Sequence, residues 1–228
     1  MYKSVFIDLD NTVWAFDENS RDTFVEMYEK YHFNRYFDSF DQFFRIYSEK
    51  NVQLWVDYGA GRITKDEFNG IRYAYPFRVV GAYDEALINR YTKDYMSRIA
   101  LKEKLMPHTV EALDYLYNRY NLYVLSNGFR ELQVQKLRSS GVEKYFKRVI
   151  LSEDIGVHKP DSQIYSFALS ATQSELRTSI MIGDAWNTDI QGAINIGMDY
   201  VFFNLQNNVP PVRPMHEIHD WNEIKKLL

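Results

Sequence analysis

Four carboxylates and one lysine are the side chains of this 228-residue sequence whose types and spacing best suit chemistry: Asp8, Asp10, Lys159, Asp184 and Asp189. A carboxylate can attack phosphorus as a nucleophile and form an aspartyl phosphate. A second carboxylate two residues further on can reach the leaving-group oxygen, first as a general acid and then as the base that activates water. Carboxylate oxygens are the ligands that Mg²⁺ prefers, and a lysine beside the metal can neutralise phosphoryl oxygens. The set therefore indicates magnesium-assisted phosphoryl transfer.

These residues follow short apolar runs that predict β-strands. The runs span residues 3–8, 122–125, 149–151, 179–182 and 200–203. Helical stretches separate the later runs, and that alternation predicts a parallel sheet buried on both faces. Because ligands of such sheets bind at the carboxyl ends of the strands, we expect the acidic residues, the lysine and Ser126 to meet at one edge.

A different pattern fills the stretch between the first two runs. Positions 16–100 hold 20 aromatic residues, whereas the other 143 positions hold 17. The aromatic residues recur at helical spacing, as in Phe40, Phe44 and Tyr47, and the stretch contains no convincing strand. Such stripes form the core of a helix bundle more often than a platform for stacking bases. The sequence therefore predicts an all-helical unit with a core of its own.

The composition excludes several classes of protein. The absence of cysteine rules out disulfides, thiol catalysis, iron–sulfur clusters and thiolate zinc sites. The formal net charge is −4 with no basic block, so nothing favours binding to a nucleic acid polymer or to a membrane. No apolar stretch has the length of a signal peptide or of a transmembrane helix. We therefore expect a cytoplasmic monomer or homodimer that acts on a small molecule.

The order of these residues resembles that of a known family. Asp8-x-Asp10-x-Thr12, Ser126, Lys159 and Gly183-Asp184-x4-Asp189 are similar to the four motifs of the haloacid dehalogenase superfamily. The helical stretch after the first motif resembles the α-helical cap of that superfamily. The resemblance implies an α/β fold with a Rossmann-like parallel-sheet core at 1–15 and 101–228 and an inserted all-α cap at 16–100.

The resemblance also implies a role for each acidic residue and for the lysine. Asp8 would be the nucleophile and a Mg²⁺ ligand. Asp10 would be the acid and base of catalysis, with its backbone carbonyl on the metal. Asp184 would be the third protein ligand of the metal. Asp189 would complete the metal site by positioning either a metal-bound water or Lys159. Lys159 would be a catalytic residue. Haloalkanoate dehalogenases that resemble this fold lack an acid at the position of Asp10, because a halide leaving group needs no proton.

Four further residues of the same motifs would bind the substrate: Thr12, Ser126, Asn127 and Gly128. The resemblance implies that the Ser126 hydroxyl and the backbone amide of Asn127 hold phosphate oxygens. The expected partner is therefore a small phosphomonoester.

Within the superfamily, the sequence resembles the pyrimidine 5′-nucleotidases. The similar segments are Leu125-Ser-Asn-Gly-Phe129, Gln133-x-x-Lys136-Leu137, Ser152-Glu153-x-x-Gly156-Val157-x-Lys159-Pro160, Gly183-Asp184-Ala-Trp186, Leu54-Trp55 and Gly61-x-Ile63-Thr64. The resemblance implies a phosphatase for nucleoside 5′-monophosphates. A phosphatase or mutase for a sugar phosphate or phosphoglycolate is the alternative, because the core motifs read nothing of the leaving group. A signalling receiver phosphorylated on aspartate fits less well, since receivers carry that aspartate after a later strand and have no cap.

Overall fold

The computed structural model describes residues 1–228, with six strands and nine α-helices. The strands are β1 (Ser4–Ile7), β2 (Asn121–Ser126), β3 (Arg148–Leu151), β4 (Ser179–Gly183), β5 (Asp199–Phe203) and β6 (His216–Ile218). The helices are α1 (Phe16–Lys30), α2 (Phe40–Gly59), α3 (Lys65–Arg72), α4 (Tyr75–Val79), α5 (Glu85–Ile99), α6 (Thr109–Tyr117), α7 (Arg130–Ser139), α8 (Ser162–Ala171) and α9 (Gln191–Ile196). None of the helices combines the length and the hydrophobicity of a membrane span.

The chain divides into two compact units. The first unit comprises Met1–Phe16 and Lys102–Leu228, and the second comprises Asp17–Leu101. Each boundary lies one residue later than the division at 15/16 and 100/101 that we expected from the sequence. We call the first the sheet unit and the second the helical unit.

All six strands form one parallel sheet in the sheet unit, in the order β3-β2-β1-β4-β5-β6. Ile7 of β1 is level with Val124 of β2 and with Ile182 of β4. Val5, Phe6 and Ile7 are all fully buried, which requires that both faces of the sheet are covered. This confirms the predicted α/β class. Because the three central strands are parallel and end within about two residues of one another, the residues that follow them share one edge of the sheet.

The C-terminal segment contains a strand that the apolar runs did not predict. Strand β6 has only three residues, and two of them, His216 and Glu217, are polar, so no apolar run marks it. A 3₁₀ helix, Trp221–Lys226, follows β6. The fully buried Trp221 donates a hydrogen bond from its indole N–H to the backbone oxygen of Thr12 at 2.7 Å. The C-terminal segment thus fixes the loop that follows β1.

The helical unit is built around packed aromatic rings, as the stripes predicted. The ring of Phe24 lies 4.3 Å from that of Tyr47, 4.2 Å from that of Tyr95 and 5.6 Å from that of Phe43, measured between centroids. Phe24 and Phe43 are fully buried, and the two tyrosines are nearly so. Aromatic pairs of this kind stabilise beyond the area that they bury. These rings form the interior of the unit and are closed to any ligand.

Replacing Phe24 with alanine should destabilise the helical unit. The substitution removes a fully buried ring and leaves a cavity, so we expect a loss of about 3–5 kcal/mol in the free energy of unfolding. Phe24→Leu, which keeps more of the volume, should cost less. Val52→Ala on α2, where the native side chain is 66% exposed, is the control and should change stability by no more than about 0.5 kcal/mol. Urea unfolding measures all three; equal effects of Phe24→Ala and Val52→Ala would contradict the described core.

Candidate active site

The centre of the site is the buried ammonium group of Lys159. Its Nζ donates to Asp8 Oδ1 at 2.6 Å, to Asp189 Oδ1 at 2.6 Å and to the backbone oxygen of Leu125 at 2.7 Å. Asn127 fixes the lysine backbone, because its amide nitrogen donates to the Lys159 carbonyl at 3.0 Å and its side-chain oxygen accepts from the Lys159 N–H at 2.8 Å. Residues at the ends of β1 and β2, together with Asp189 from the turn that follows β4, therefore hold one cation in place.

Asp184 directly follows β4 and is oriented by Thr12. The Thr12 hydroxyl donates to Asp184 Oδ1 at 3.0 Å and accepts from the Asp184 backbone N–H at 3.1 Å. The Thr12 side chain is fully buried, and its O–H and one of its lone pairs are both directed to Asp184. From its motif we expected Thr12 to bind the substrate. In the structure this side chain positions Asp184, because the loop after β1 lies beside the end of neighbouring β4, and its contact with a substrate stays a prediction.

Asp189 lies in a π-helical turn, Trp186–Ile190, and is fully buried. Its Oδ2 accepts from the backbone N–H of Ala185 at 3.1 Å, while its Oδ1 accepts from Lys159. The carboxylate lies directly over Gly183, where an added Cβ would stand 2.3 Å from Asp189 Oδ2. Glycine is therefore needed at position 183 for space.

Asp8, Asp184 and Asp189 form one acidic cluster, in which each offers an oxygen within 4.8 Å of the others. Burial raises the pKa of Asp8 to about 7, although Lys159 opposes the shift. Burial and the neighbouring carboxylates also raise the pKa of Asp184 well above its usual 3.8. Burial lowers the pKa of Lys159, but the charges of Asp189 and Asp8 outweigh that effect and raise it. Three carboxylates around one ammonium leave this buried site short of positive charge, and its oxygen ligands fit a divalent cation.

The carboxylate of Asp10 is held outside that cluster. Asp10 Oδ1 accepts from Lys136 Nζ at 2.6 Å, and Asp10 Oδ2 accepts from Gln133 Nε2 at 2.9 Å. Gln133 Nε2 also donates to Ser126 Oγ at 2.7 Å, and the Gly128 N–H donates to the same hydroxyl oxygen at 3.1 Å. Both lone pairs of Ser126 Oγ are thereby occupied, which leaves its O–H free to donate.

Comparison with known proteins identifies the family. The sequence pattern of the haloacid dehalogenase-like hydrolases matches residues 2–197. The chain belongs to the haloacid dehalogenase-like hydrolase family. It is 29% identical to the pyrimidine 5′-nucleotidase YjjG of Escherichia coli, over 98% of this chain and 96% of that protein. It is 27% identical to the pyrimidine 5′-nucleotidase PynA of Streptococcus pneumoniae, over 98% of this chain and 93% of that protein.

Among solved structures, the fold of this hydrolase is similar to that of the HAD-hydrolase YfnB of Bacillus subtilis, which was crystallised bound to magnesium. The two share a TM-score of 0.88 and 23% sequence identity, over 100% of this chain and 98% of the other. The similarity covers both units of the chain and supports the α/β fold described above.

Two buried residues of this hydrolase, Gln133 and Lys136, contact Asp10 and Ser126 in the site, although we predicted no role for them from the motifs. They stand three residues apart on α7, beside the buried Leu137, so the three lie on one face of the helix. A lysine and a glutamine on the same face as a core leucine are a usable signal in the sequence. Polar residues on a helix more often face solvent, which is why the signal is weak by itself.

When no metal is bound, this hydrolase should lose stability as the pH rises. The Asp8 carboxyl has its pKa raised from 3.8 to about 7, so it favours folding fully below pH 4, and that contribution is lost as the pH rises through 7. Thermal midpoints in EDTA should therefore fall between pH 5 and pH 8. Asp8→Asn should flatten this fall, and Asp41→Asn, where the native side chain is 81% exposed, should leave it unchanged. An Asp8→Asn profile as steep as that of the wild type would refute this origin of the pH dependence.

Proposed function

We propose that this chain is a Mg²⁺-dependent phosphatase that hydrolyses nucleoside 5′-monophosphates through a phosphorylated Asp8. The observation that carries the proposal is the Asp8 carboxylate at the end of β1, held 2.6 Å from the Lys159 ammonium, with Asp10 two residues further on. YjjG and PynA, which match nearly the whole chain, are pyrimidine 5′-nucleotidases by name, and this supports a nucleotide substrate.

Asp8 and Asp184 would bind Mg²⁺ through their carboxylates, and Asp10 through its backbone carbonyl. Asp189 is hydrogen-bonded to Lys159 and would fix that cation beside the metal. When bound, Mg²⁺ would supply positive charge against the phosphoryl oxygens as negative charge builds on them. The acidic cluster has more carboxylates than positive charges, and this supports the assignment of a metal ion. The carboxylate oxygens are hard donors, which favour Mg²⁺ over zinc.

Two displacements at phosphorus complete the proposed reaction. In the first, the Asp8 carboxylate forms a bond to phosphorus while the bond to the nucleoside 5′-oxygen breaks, and Asp10 gives that oxygen its proton. In the second, Asp10 takes a proton from water as the water oxygen attacks phosphorus, which releases Asp8 and inorganic phosphate. The Ser126 hydroxyl and the Asn127 backbone amide would hold the phosphate oxygens during both steps.

Selection among phosphate esters falls to the helical unit in this proposal, because the residues of the sheet unit read only phosphate and metal. The rings of Phe24, Phe43 and Tyr47 are buried in the core of that unit, so a base would have to stack on a ring outside it. Stacking on one ring contributes about 1–3 kcal/mol per base, which gives a nucleotide roughly a tenfold to hundredfold advantage over ribose 5-phosphate.

Substituting the nucleophile should abolish turnover. Asp8→Asn keeps the shape of the side chain but loses the attacking oxygen, so kcat should fall by at least about 10⁴-fold on every substrate. Rapid quenching of the wild type during turnover of a ³²P-labelled nucleotide should trap acid-stable, hydroxylamine-sensitive label on the protein. Asp41→Asn is the control and should keep wild-type kcat. An Asp8→Asn protein with more than a few per cent of wild-type turnover would rule out the covalent route.

A substrate panel should rank the pyrimidine nucleotides first. With Mg²⁺ present, UMP, dUMP or dTMP should have a higher kcat/KM than purine nucleotides, hexose phosphates or phosphoglycolate. EDTA should abolish the activity, and restored Mg²⁺ should return it. If a hexose phosphate or phosphoglycolate exceeded every nucleoside monophosphate by tenfold, the nucleotidase assignment would fail while the phosphatase mechanism would stand.

A further inference from the structure

Helix α7 directs two buried polar side chains toward Asp10. Gln133 is fully buried, and the side chain of Lys136 is only 3% exposed, whereas that of Asp10 is 29% exposed. Lysine and glutamine are seldom buried to this degree unless their polar groups have partners. Here both side chains meet the same carboxylate, which stays accessible while its two partners do not.

The two side chains donate hydrogen bonds to different oxygens of that carboxylate. Lys136 Nζ lies 2.6 Å from Asp10 Oδ1, and Gln133 Nε2 lies 2.9 Å from Asp10 Oδ2. Because each oxygen has its own donor, rotation of the carboxylate about its terminal torsion would break both contacts. Each oxygen keeps a second lone pair, so the carboxylate can still carry or accept a proton.

Lys136 is itself fixed by its surroundings. Its ammonium lies 4.6 Å from the centroid of the Trp14 ring and 5.2 Å from that of Phe16, both distances at which a cation is attracted to an aromatic face. Asp10 is its salt-bridge partner in this buried position. A buried ammonium gains most from an ionised partner at close range, so the lysine and the carboxylate hold each other in place.

The loop after β2 makes room for Gln133. A Cβ added at Gly128 would stand 2.2 Å from Gln133 Nε2, so any other residue at position 128 would displace the glutamine amide. That amide bridges Asp10 and Ser126, since its nitrogen lies 2.7 Å from Ser126 Oγ. We expected Gly128 to bind the substrate. Because it has no side chain, it also leaves the space that the Gln133 amide occupies.

We propose that Lys136 and Gln133 are positioning residues that hold the Asp10 carboxylate in the orientation required for its two proton transfers. The inference rests on the proposed function, in which Asp10 first protonates the nucleoside 5′-oxygen and then deprotonates water. A catalytic group fixed near its reacting geometry loses little freedom on reaching the transition state, and this is the benefit of the two donors. Gln133 extends the arrangement to Ser126, so the acid/base and a phosphate ligand keep a constant separation.

The test compares two leaving groups. Lys136→Met keeps the length of the side chain and removes its charge, and Lys136→Arg keeps the charge. UMP needs a proton on its leaving oxygen, whereas p-nitrophenyl phosphate does not. Lys136→Met should lower kcat on UMP by about 10- to 100-fold, which is part of the rate enhancement that general acid catalysis gives. It should lower kcat on p-nitrophenyl phosphate by less than about threefold. KM for UMP should stay close to that of the wild type, and Lys136→Arg should recover part of the loss.

Non-additivity with Asp10 distinguishes positioning from a general structural effect. Lys136→Met in an Asp10→Asn background should cause little further loss on UMP, because the group that it positions is already gone. Lys144→Met is the matched control: this exposed lysine lies 4.9 Å from the Tyr145 ring and contacts no residue of the site. It should leave both substrates unaffected. If Lys136→Met fails to fold, Gln133→Met gives an independent test. It should lower kcat more on UMP than on p-nitrophenyl phosphate, with a smaller loss common to both substrates because Ser126 Oγ loses a donor as well.

Two outcomes would overturn the inference. Equal losses on UMP and p-nitrophenyl phosphate, or additive losses with Asp10→Asn, would show that Lys136 acts on folding or phosphate binding instead. Failure of the proposed function looks different, because the wild type would then hydrolyse neither substrate. A wild type that hydrolyses p-nitrophenyl phosphate and another alkyl phosphate, but not UMP, would reject the nucleotide alone, and the same comparison would then use that alkyl ester.

Discussion

Three clustered carboxylates, Asp8, Asp184 and Asp189, have one buried ammonium group beside them, and the arrangement of the site follows from that shortage of positive charge. Lys159 lies 2.6 Å from both Asp8 and Asp189. Removing the cation would leave unpaired charges in a region of low dielectric, which is among the most destabilising changes that a protein interior can undergo. Asp184 and Asp189 also have neutral donors, from Thr12 and from the Ala185 N–H, that relieve part of the repulsion.

The parallel sheet makes this crowding possible. Asp8, Lys159 and Asp184 are far apart in sequence, yet β1 lies between β2 and β4, and the three strands end within about two residues of one another. Lys159 joins them from the loop after β3, the other neighbour of β2. Every residue just beyond those ends is therefore brought to the same edge. The same crowding that should weaken the metal-free protein at high pH also prepares the site for a divalent cation. Stability without metal and affinity for metal are opposite consequences of one arrangement.

The residues after the strands could be predicted from the sequence because several apolar runs are each followed by polar residues that suit one chemistry. A single apolar run followed by a carboxylate would have been a weak signal. The convergence of Asp8, Lys159 and Asp189 required that the strands be parallel and that the loop after β3, which carries Lys159, reach past β2 to the end of β1. The task of Thr12 could not be read in the same way, since a hydroxyl after a strand can face a ligand or a neighbouring carboxylate. Only the register of β1 against β4 decides between these two.

The contribution of α7 was harder to predict. Gln133 and Lys136 are residue types that usually face solvent, although their spacing puts them on one face with Leu137, and their burial depends on how α7 packs in the sheet unit. Strand β6 escaped prediction for a related reason, because pairing with β5 rather than its own hydrophobicity defines it. Local patterns identify elements that bury apolar surface. They do not identify elements that are buried through polar contacts.

Gly128 and Gly183 leave space that side chains of the site fill, and this limits which substitutions can accumulate as the family diverges. Gly128 leaves space for Gln133, and Gly183 leaves space for Asp189, with an added Cβ at 2.2 Å and 2.3 Å from the respective side chains. In a descendant of this sequence, a larger residue at position 128 is compatible only with a shorter side chain at position 133. Substitutions at the two positions of each pair should therefore be inherited together, so that their covariation across many relatives records the packing of the site.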